Sequence, residues 1–159
     1  MSNNDFSKLD FRNALGSFAT GVTVITTRGS KGQKVGMTVN SFNSVSLDPP
    51  LILWSIGRDA NCFDEFVSAE AFAVHILAAD QEAISNRFAS SGTDRFADID
   101  SVEGLSGVPL LPHYSTCFQC TTEHSYDGGD HVILVGRVVA FDDLGHQPLL
   151  FHRGKYAHL

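Results

Sequence analysis

Charge is scarce in this sequence. Only 18% of residues are Asp, Glu, Lys or Arg, against roughly 25% in an average soluble domain. The charge present leans acidic, with 11 Lys and Arg against 18 Asp and Glu and a formal net of −7. No basic run exists, which excludes nucleic acid and an anionic membrane surface as partners, since both are bound through displaced counterions. Long apolar runs are also missing. Stretches such as PLILWSI and HVILVG are strand-sized, where a bilayer span needs roughly 20 residues. The opening MSNNDFSKLDF has neither the basic nor the apolar part of a secretory leader, so the sequence predicts a cytoplasmic location.

Three cysteines, Cys62, Cys117 and Cys120, make no disulfide framework. Cys117 and Cys120 have CxxC spacing, but STCFQCTTEH reads as a strand, which turns the two thiols to opposite faces. No second pair completes a zinc set, and no metal is expected. GxSxG, a P-loop, HExxH and a strand-following GxGxxG are all absent. The missing glycine fingerprint excludes dinucleotide binding in the Rossmann manner.

What the chain does have is apolar mass: 43% hydrophobic residues and twelve Phe in 159. That suffices for one domain, residues 1–159, with a sizeable core. So many Phe beside so little charge points to apolar surface hidden in an oligomer.

The pattern predicts a helix in LDFRNALGSFATG, with Phe11, Leu15 and Phe18 on one face and Gly21 ending it. VTVITTR is a β-branched strand and QKVGMTVNSFNSVSL a second one, bent at Gly36 and interrupted near Asn43. LILWSI and AFAVHIL are buried strands. A short helix begins near Ala60, and Asp80 caps another over QEAISNRFAS. A long hairpin turns near Asp127–Gly129, and PLLFHRGKYAHL closes the chain as a short strand. Strands outnumber helices and do not alternate with them, so the expected class is mainly β: an antiparallel barrel with peripheral α-helices.

One stretch does not fit a barrel wall. GMTVNSF, residues 36–42, places Thr38, Asn40 and Ser41 where Val or Ile would pack better, with Ser44 and Ser55 close by in sequence. Three further polar clusters stand out: Ala60–Asn61, GGDH with His131, and RGKY with Tyr156. Each alone has a structural reading as a solvent-facing strand position, a first helical turn, a hairpin turn or a terminal anchor.

Together, FATGVTVITT, GMTVNSFNSVSLDPPLILWSI, AN, GGDH, GRV and PLLFHRGKY, in that order, closely resemble the short-chain flavin reductase family. Its members include the reductase components of two-component flavin monooxygenases such as phenol 2-monooxygenase and 4-hydroxyphenylacetate 3-monooxygenase. The resemblance implies a split β-barrel of the FMN-binding, Greek-key type, working as a homodimer. It implies an NAD(P)H:flavin oxidoreductase that passes hydride to FMN or FAD, with NADH favoured over NADPH, and supplies reduced flavin to a separate oxygenase component. By the same resemblance, Thr38, Val39, Asn40, Ser41 and Phe42 line the flavin ring. Ser44, Ser55, Ala60 and Asn61 serve its ribityl–phosphate tail, Arg87 adds a phosphate contact and Phe88 flanks the flavin. His131 and Tyr156 match positions associated with the nicotinamide, His131 being the candidate catalytic residue. Hydride transfer needs proximity rather than an acid or base at the reacting carbon. The alternative reading is a flavin-binding electron-transfer module without efficient NAD(P)H turnover.

Overall fold

The computed structural model describes residues 5–159. Helix α1 (Lys8–Leu15) leads into β1 (Thr20–Gly21), β2 (Thr23–Arg28), β3 (Lys34–Val39), β4 (Asn43–Leu47) and β5 (Pro50–Gly57). Then come α2 (Phe63–Val67), β6 (Ala71–Ile76), α3 (Glu82–Ala89), β7 (Val102–Glu103) and β8 (Pro109–Leu110). The chain finishes with β9 (Thr116–Gly128), β10 (His131–Asp143), β11 (Leu150–His152) and β12 (Lys155–Ala157).

Seven strands form one antiparallel sheet in the order β3-β2-β6-β9-β10-β5-β4. The segment expected to be a single bent strand is therefore two strands on opposite edges of that sheet. Only Asn40, Ser41 and Phe42 join them. Six inter-strand spacings of about 4.8 Å would separate the edges of a flat sheet by about 29 Å. The four Cα steps from Val39 to Asn43 reach about 15 Å at most. The sheet must curl until its edges approach.

The inside of the curl is the main core. Trp54 is fully buried and meets Phe66 edge-on at 5.0 Å between ring centroids, with Phe72 at 6.0 Å and Ile25, Ile56, Val74 and Leu134 in the same cluster. A second cluster on the outer face of β2 gathers Val24, Leu77, Phe88 and Leu149. α3 can lie against β3 there because residue 36 is glycine: a Cβ at Gly36 would sit 2.6 Å from the Phe88 ring. Hairpin β9–β10 turns at Gly129–Asp130, one residue beyond the expected centre. Gly129 has φ +72°, as a tight hairpin turn with glycine first requires.

Several local expectations are corrected. α1 starts at Ser7, whose Oγ accepts the Asp10 amide at 3.0 Å, and stops at Gly16 rather than Gly21. The Arg153 amide donates to the Gly16 carbonyl, so the last turn is taken up by the β11–β12 hairpin. The final segment is this hairpin, not a single strand. Nothing in α1 is buried, and Leu9, Phe11 and Leu15 face solvent together with Phe18 just beyond. Asp80 does not cap α3. Gln81 holds that position, its Oε1 accepting the Ala78 amide at 2.8 Å and its Nε2 donating to the His113 carbonyl, while Asp80 faces His113 Nε2.

His75 of β6 is fully buried and satisfied twice: Nδ1–H donates to the Val24 carbonyl at 3.0 Å, and Nε2 accepts the Leu111 amide at 3.1 Å. Burial pushes its pKa down to about 4, so the folded chain holds it neutral while the unfolded chain takes a proton near pH 6.5. Its contribution is present above pH 6.5 and is lost as pH falls towards 4, by about 3 kcal/mol in total. We predict that urea titrations of the parent and of His75→Asn between pH 7 and 4 will show a shallower loss of stability in the variant.

Candidate functional site

The polar atoms of the Gly36–Phe42 stretch are tied into the fold at both ends. The Thr38 hydroxyl donates to the Ser85 carbonyl of α3 at 2.6 Å. The Ser41 hydroxyl accepts the Ser55 amide at 2.9 Å and donates to the Ser55 carbonyl at 3.0 Å. The β4–β5 ladder begins only at Asn43 opposite Leu53, so Ser55 lies past the end of β4. One serine side chain therefore does for Ser55 what a neighbouring strand would have done.

With the Ser41 side chain occupied, the main chain is what this stretch offers outward. Asn40 to Phe42 lie in no ladder, and no hydrogen bond among the described residues uses their amides. Asn40 is exposed and, with Thr20, Thr23, Phe42 and Ile76, lines a hollow of about 190 Å³. Phe42 stacks on Phe118 with ring centroids 6.0 Å apart, and Val39 packs on the main core. Unused amides beside an apolar wall suit a flat ring with a polar edge, and on that observation the residues present fit a flavin.

β5 links this stretch to the second group. Ser55 is held by Ser41, and Gly57, two residues on, pairs with His131 across the other edge of the same strand. Ser41 and His131 thus flank the end of β5, about 7 Å apart along it. His131 is exposed at the start of β10, and its Nδ1 hydrogen-bonds Asp130 Oδ1 at 2.7 Å. That contact holds the Asp130 carboxyl below the usual carboxylate range and leaves Nε2 outward, near Gly57. Ser44 is exposed on β4 opposite Ile52. Ala60 and Asn61 follow β5 in a turn. The Ala60 amide, expected to open a helix, instead donates to the Gly57 carbonyl, and α2 begins three residues later with Cys62 as its cap.

Tyr156 stands in a different network. Its hydroxyl meets Ser85 Oγ at 2.7 Å and Asn86 Oδ1 at 2.8 Å, and its ring packs edge-on against Phe151. It reaches the Gly36–Phe42 stretch through Ser85 and Thr38, and its hydrogen bonds share no residue with those of His131. Arg87 spends Nη1 on the Ala97 carbonyl at 2.6 Å. Phe88 is corrected: fully buried between Gly36 and Phe96, it has no surface to present to a flavin. Its sequence pattern, an aromatic one residue after an arginine, is equally that of a core anchor on an amphipathic helix.

Arg58, Ser85 and Asn86 went unnoticed in the sequence. Arg58 lies in IGRDAN, and only the register of β5 against β10 brings it to DGGDH. Cys117 and Cys120 fall in separate clusters on the two faces of β9, and burial pushes both thiols up to about 12, which makes them inert. Among the described residues, no three His, Cys, Asp or Glu converge to hold a metal.

Sheet, unused amides and tethered histidine together define a small antiparallel β protein with a hollow beside the link from β3 to β4. The family described as Flavin reductase like domain matches residues 15–159, and the chain belongs to it. It is 45% identical over 146 residues to the FMN reductase (NADH) SmoA of Agrobacterium fabrum, covering 92% of this chain and 83% of that protein. It is 44% identical to the reductase component of the flavin-dependent trigonelline monooxygenase of Acinetobacter baylyi, over 92% of this chain and 47% of that protein. The crystal structure of the NADH:FAD oxidoreductase of Streptomyces globisporus C-1027, in complex with NAD and FAD fragments, superposes with TM-score 0.90 at 37% identity. That superposition covers 96% of this chain and 93% of the other. Some curated relatives are longer, and the chain spans about half of their length.

Ser41→Ala would leave the Ser55 amide and carbonyl unpaired in a half-buried position. The expected loss of stability is about 1–3 kcal/mol, read from the midpoint of urea unfolding. Ser44→Ala, at an exposed position with no such bond, should change it by less than about 0.5 kcal/mol.

Proposed function

We propose that this chain is an NADH:flavin oxidoreductase. The observation that carries the reading is the flanking of one strand end, that of β5, by the unladdered main chain of Asn40–Phe42 on one edge and by His131 on the other. The sequence match over residues 15–159 and the activities of the relatives support it. FMN or FAD, when bound, supplies the acceptor for a hydride from the reduced nicotinamide. Everything else falls to the residues of this chain.

The Asn40–Phe42 amides would hold a flavin by its polar edge, as fixed donors that need no solvent reorganisation. Val39 and Phe42 exclude water from the ring. Ser44, Ser55 and Asn61 face the tail. With Nδ1 committed to Asp130, His131 presents Nε2 to the nicotinamide carboxamide and orients it. Tyr156 supports that docking from α3 through its contacts to Ser85 and Asn86.

The fold is a split β-barrel in one domain over the whole chain, a reading supported by the curl that the three-residue link imposes. The exposed apolar residues of α1, together with Val139 and Phe141 at the far end of β10, form surface that water covers poorly. A second copy of this chain covers it in a homodimer, and the low charge of the sequence agrees. Delivery of reduced flavin to a separate oxygenase component follows the relatives that are reductase components, and the location proposed is cytoplasmic. No helix among the described residues is long and apolar enough to cross a membrane.

Steady-state NADH oxidation with added FMN or FAD tests the activity. Flavin-dependent turnover is expected with either flavin, whereas bound flavin reducible by dithionite but not by NADH or NADPH would identify an electron-transfer module instead. His131→Ala should slow reduction by NADH by about ten- to a hundredfold with flavin affinity nearly unchanged. Ser41→Ile should weaken flavin binding more than it slows reduction. Equal effects of both changes on flavin affinity would contradict this division of roles.

A further inference from the structure

The tip of the β9–β10 hairpin has little to hold it. β6 supports β9 only as far as Thr121, and from His124 to His131 nearly every side chain is exposed. Past β6 the outer strand β9 has only β10 beside it, while β10 stays paired with β5 up to Gly57 opposite His131. The turn itself, residues 129–130, lies beyond both ladders. His131 is fixed to this hairpin, and its own hydrogen bond runs to Asp130 inside the same turn. Nothing in the His131–Asp130 pair sets where the ring lies relative to the rest of the site.

Arg58 supplies that constraint. Its amide donates to the Asp130 carbonyl at 3.0 Å, which continues the strand pairing one bond beyond the ladder. Its guanidinium reaches back over the turn: Nε donates to the Gly129 carbonyl at 2.9 Å and Nη2 meets Asp127 Oδ1 at 2.7 Å. A single half-exposed ion pair stabilises little. A planar fork gripping the carbonyl of the first turn residue and a carboxylate at the end of β9 does something else, fixing the orientation of that turn. On its other side Arg58 is followed directly by Asp59, Ala60 and Asn61.

We propose that Arg58 is a positioning residue: it locks the Asp127–His131 turn to the loop after β5, and so fixes the His131 ring relative to the residues that face the flavin. The inference rests on the role given to His131 above. Because a guanidinium spent on Gly129 and Asp127 is not free for a phosphate, Arg58 acts through His131 rather than on either nucleotide.

The test compares the parent with Arg58→Ala, Arg58→Lys, His131→Ala and the double variant, all as full chains. Flavin reduction by NADH is followed in single turnover, and flavin affinity is measured alongside. Arg58→Ala should slow reduction by about tenfold, as expected for a misplaced orienting group, with flavin affinity within about twofold of the parent. Arg58→Lys, which keeps the charge but cannot make both contacts, should fall between. Adding Arg58→Ala to His131→Ala should cost nothing more, since two residues acting through one ring are not additive. Parental rates in Arg58→Ala, or losses that multiply in the double variant, overturn the proposal. A readout independent of activity accompanies these: amide exchange at Gly129–His131 and the imidazole signals of His131 by NMR. Faster exchange and shifted ring signals in Arg58→Ala are expected, and an unchanged spectrum overturns the proposal even if the parent reduces no flavin. Asp127→Ala, which removes only one end of the fork, serves should Arg58→Ala not fold, and is read by the same two outcomes.

Discussion

The short link from Val39 to Asn43 is the constraint on which the rest depends. Three residues join strands that stand at opposite ends of a seven-stranded order, so the sheet closes towards itself and a core forms inside it around Trp54. A link that short cannot make cross-strand pairs of its own. Its main-chain groups are left without ladder partners at the place where the two edges meet, and Ser41 restores two of the missing bonds on the β5 side. Closure and ligand capacity thus have a common origin: the geometry that curls the sheet also leaves amides unused beside an apolar wall.

Around that link the site is arranged in two halves. One is built on β5 and the β9–β10 turn, with His131 exposed and tethered through Asp130. The other is built on α3, where Ser85, Asn86 and Tyr156 share hydrogen bonds and Thr38 connects them to β3. Neither half carries a buried charge. The strongly perturbed histidine, His75, is neutral and doubly bonded deep in the sheet, and its hydrogen bonds join neither half. Such a site suits hydride transfer, which asks for stacked rings and excluded water more than for shifted acids and bases.

Much of the fold was legible. β-branched runs such as VTVITTR and LILWSI gave strands, and GG beside Asp gave the hairpin turn, because these signals are local. The interruption near Asn43 reads in the sequence as a gap within one strand, since nothing local reveals that the two halves pair at opposite edges. Phe88 was assigned to a ligand and belongs to the core, because the glycine that makes room for it lies 52 positions earlier, at Gly36. α1 shows the reverse. Its apolar residues read as a buried face, yet they face solvent within this chain.

By itself the sequence determined the strand-rich class and the set of polar residues around which a site could form. Periodicity, turn chemistry and composition act over a few residues and can be read in order along the chain. Tertiary structure alone decided that Ser41 binds Ser55, that His131 stands across β5 from it, and that Arg58 grips the turn between. Those contacts are set by strand register, and register is a property of the closed sheet, fixed only when every buried face has found its neighbour.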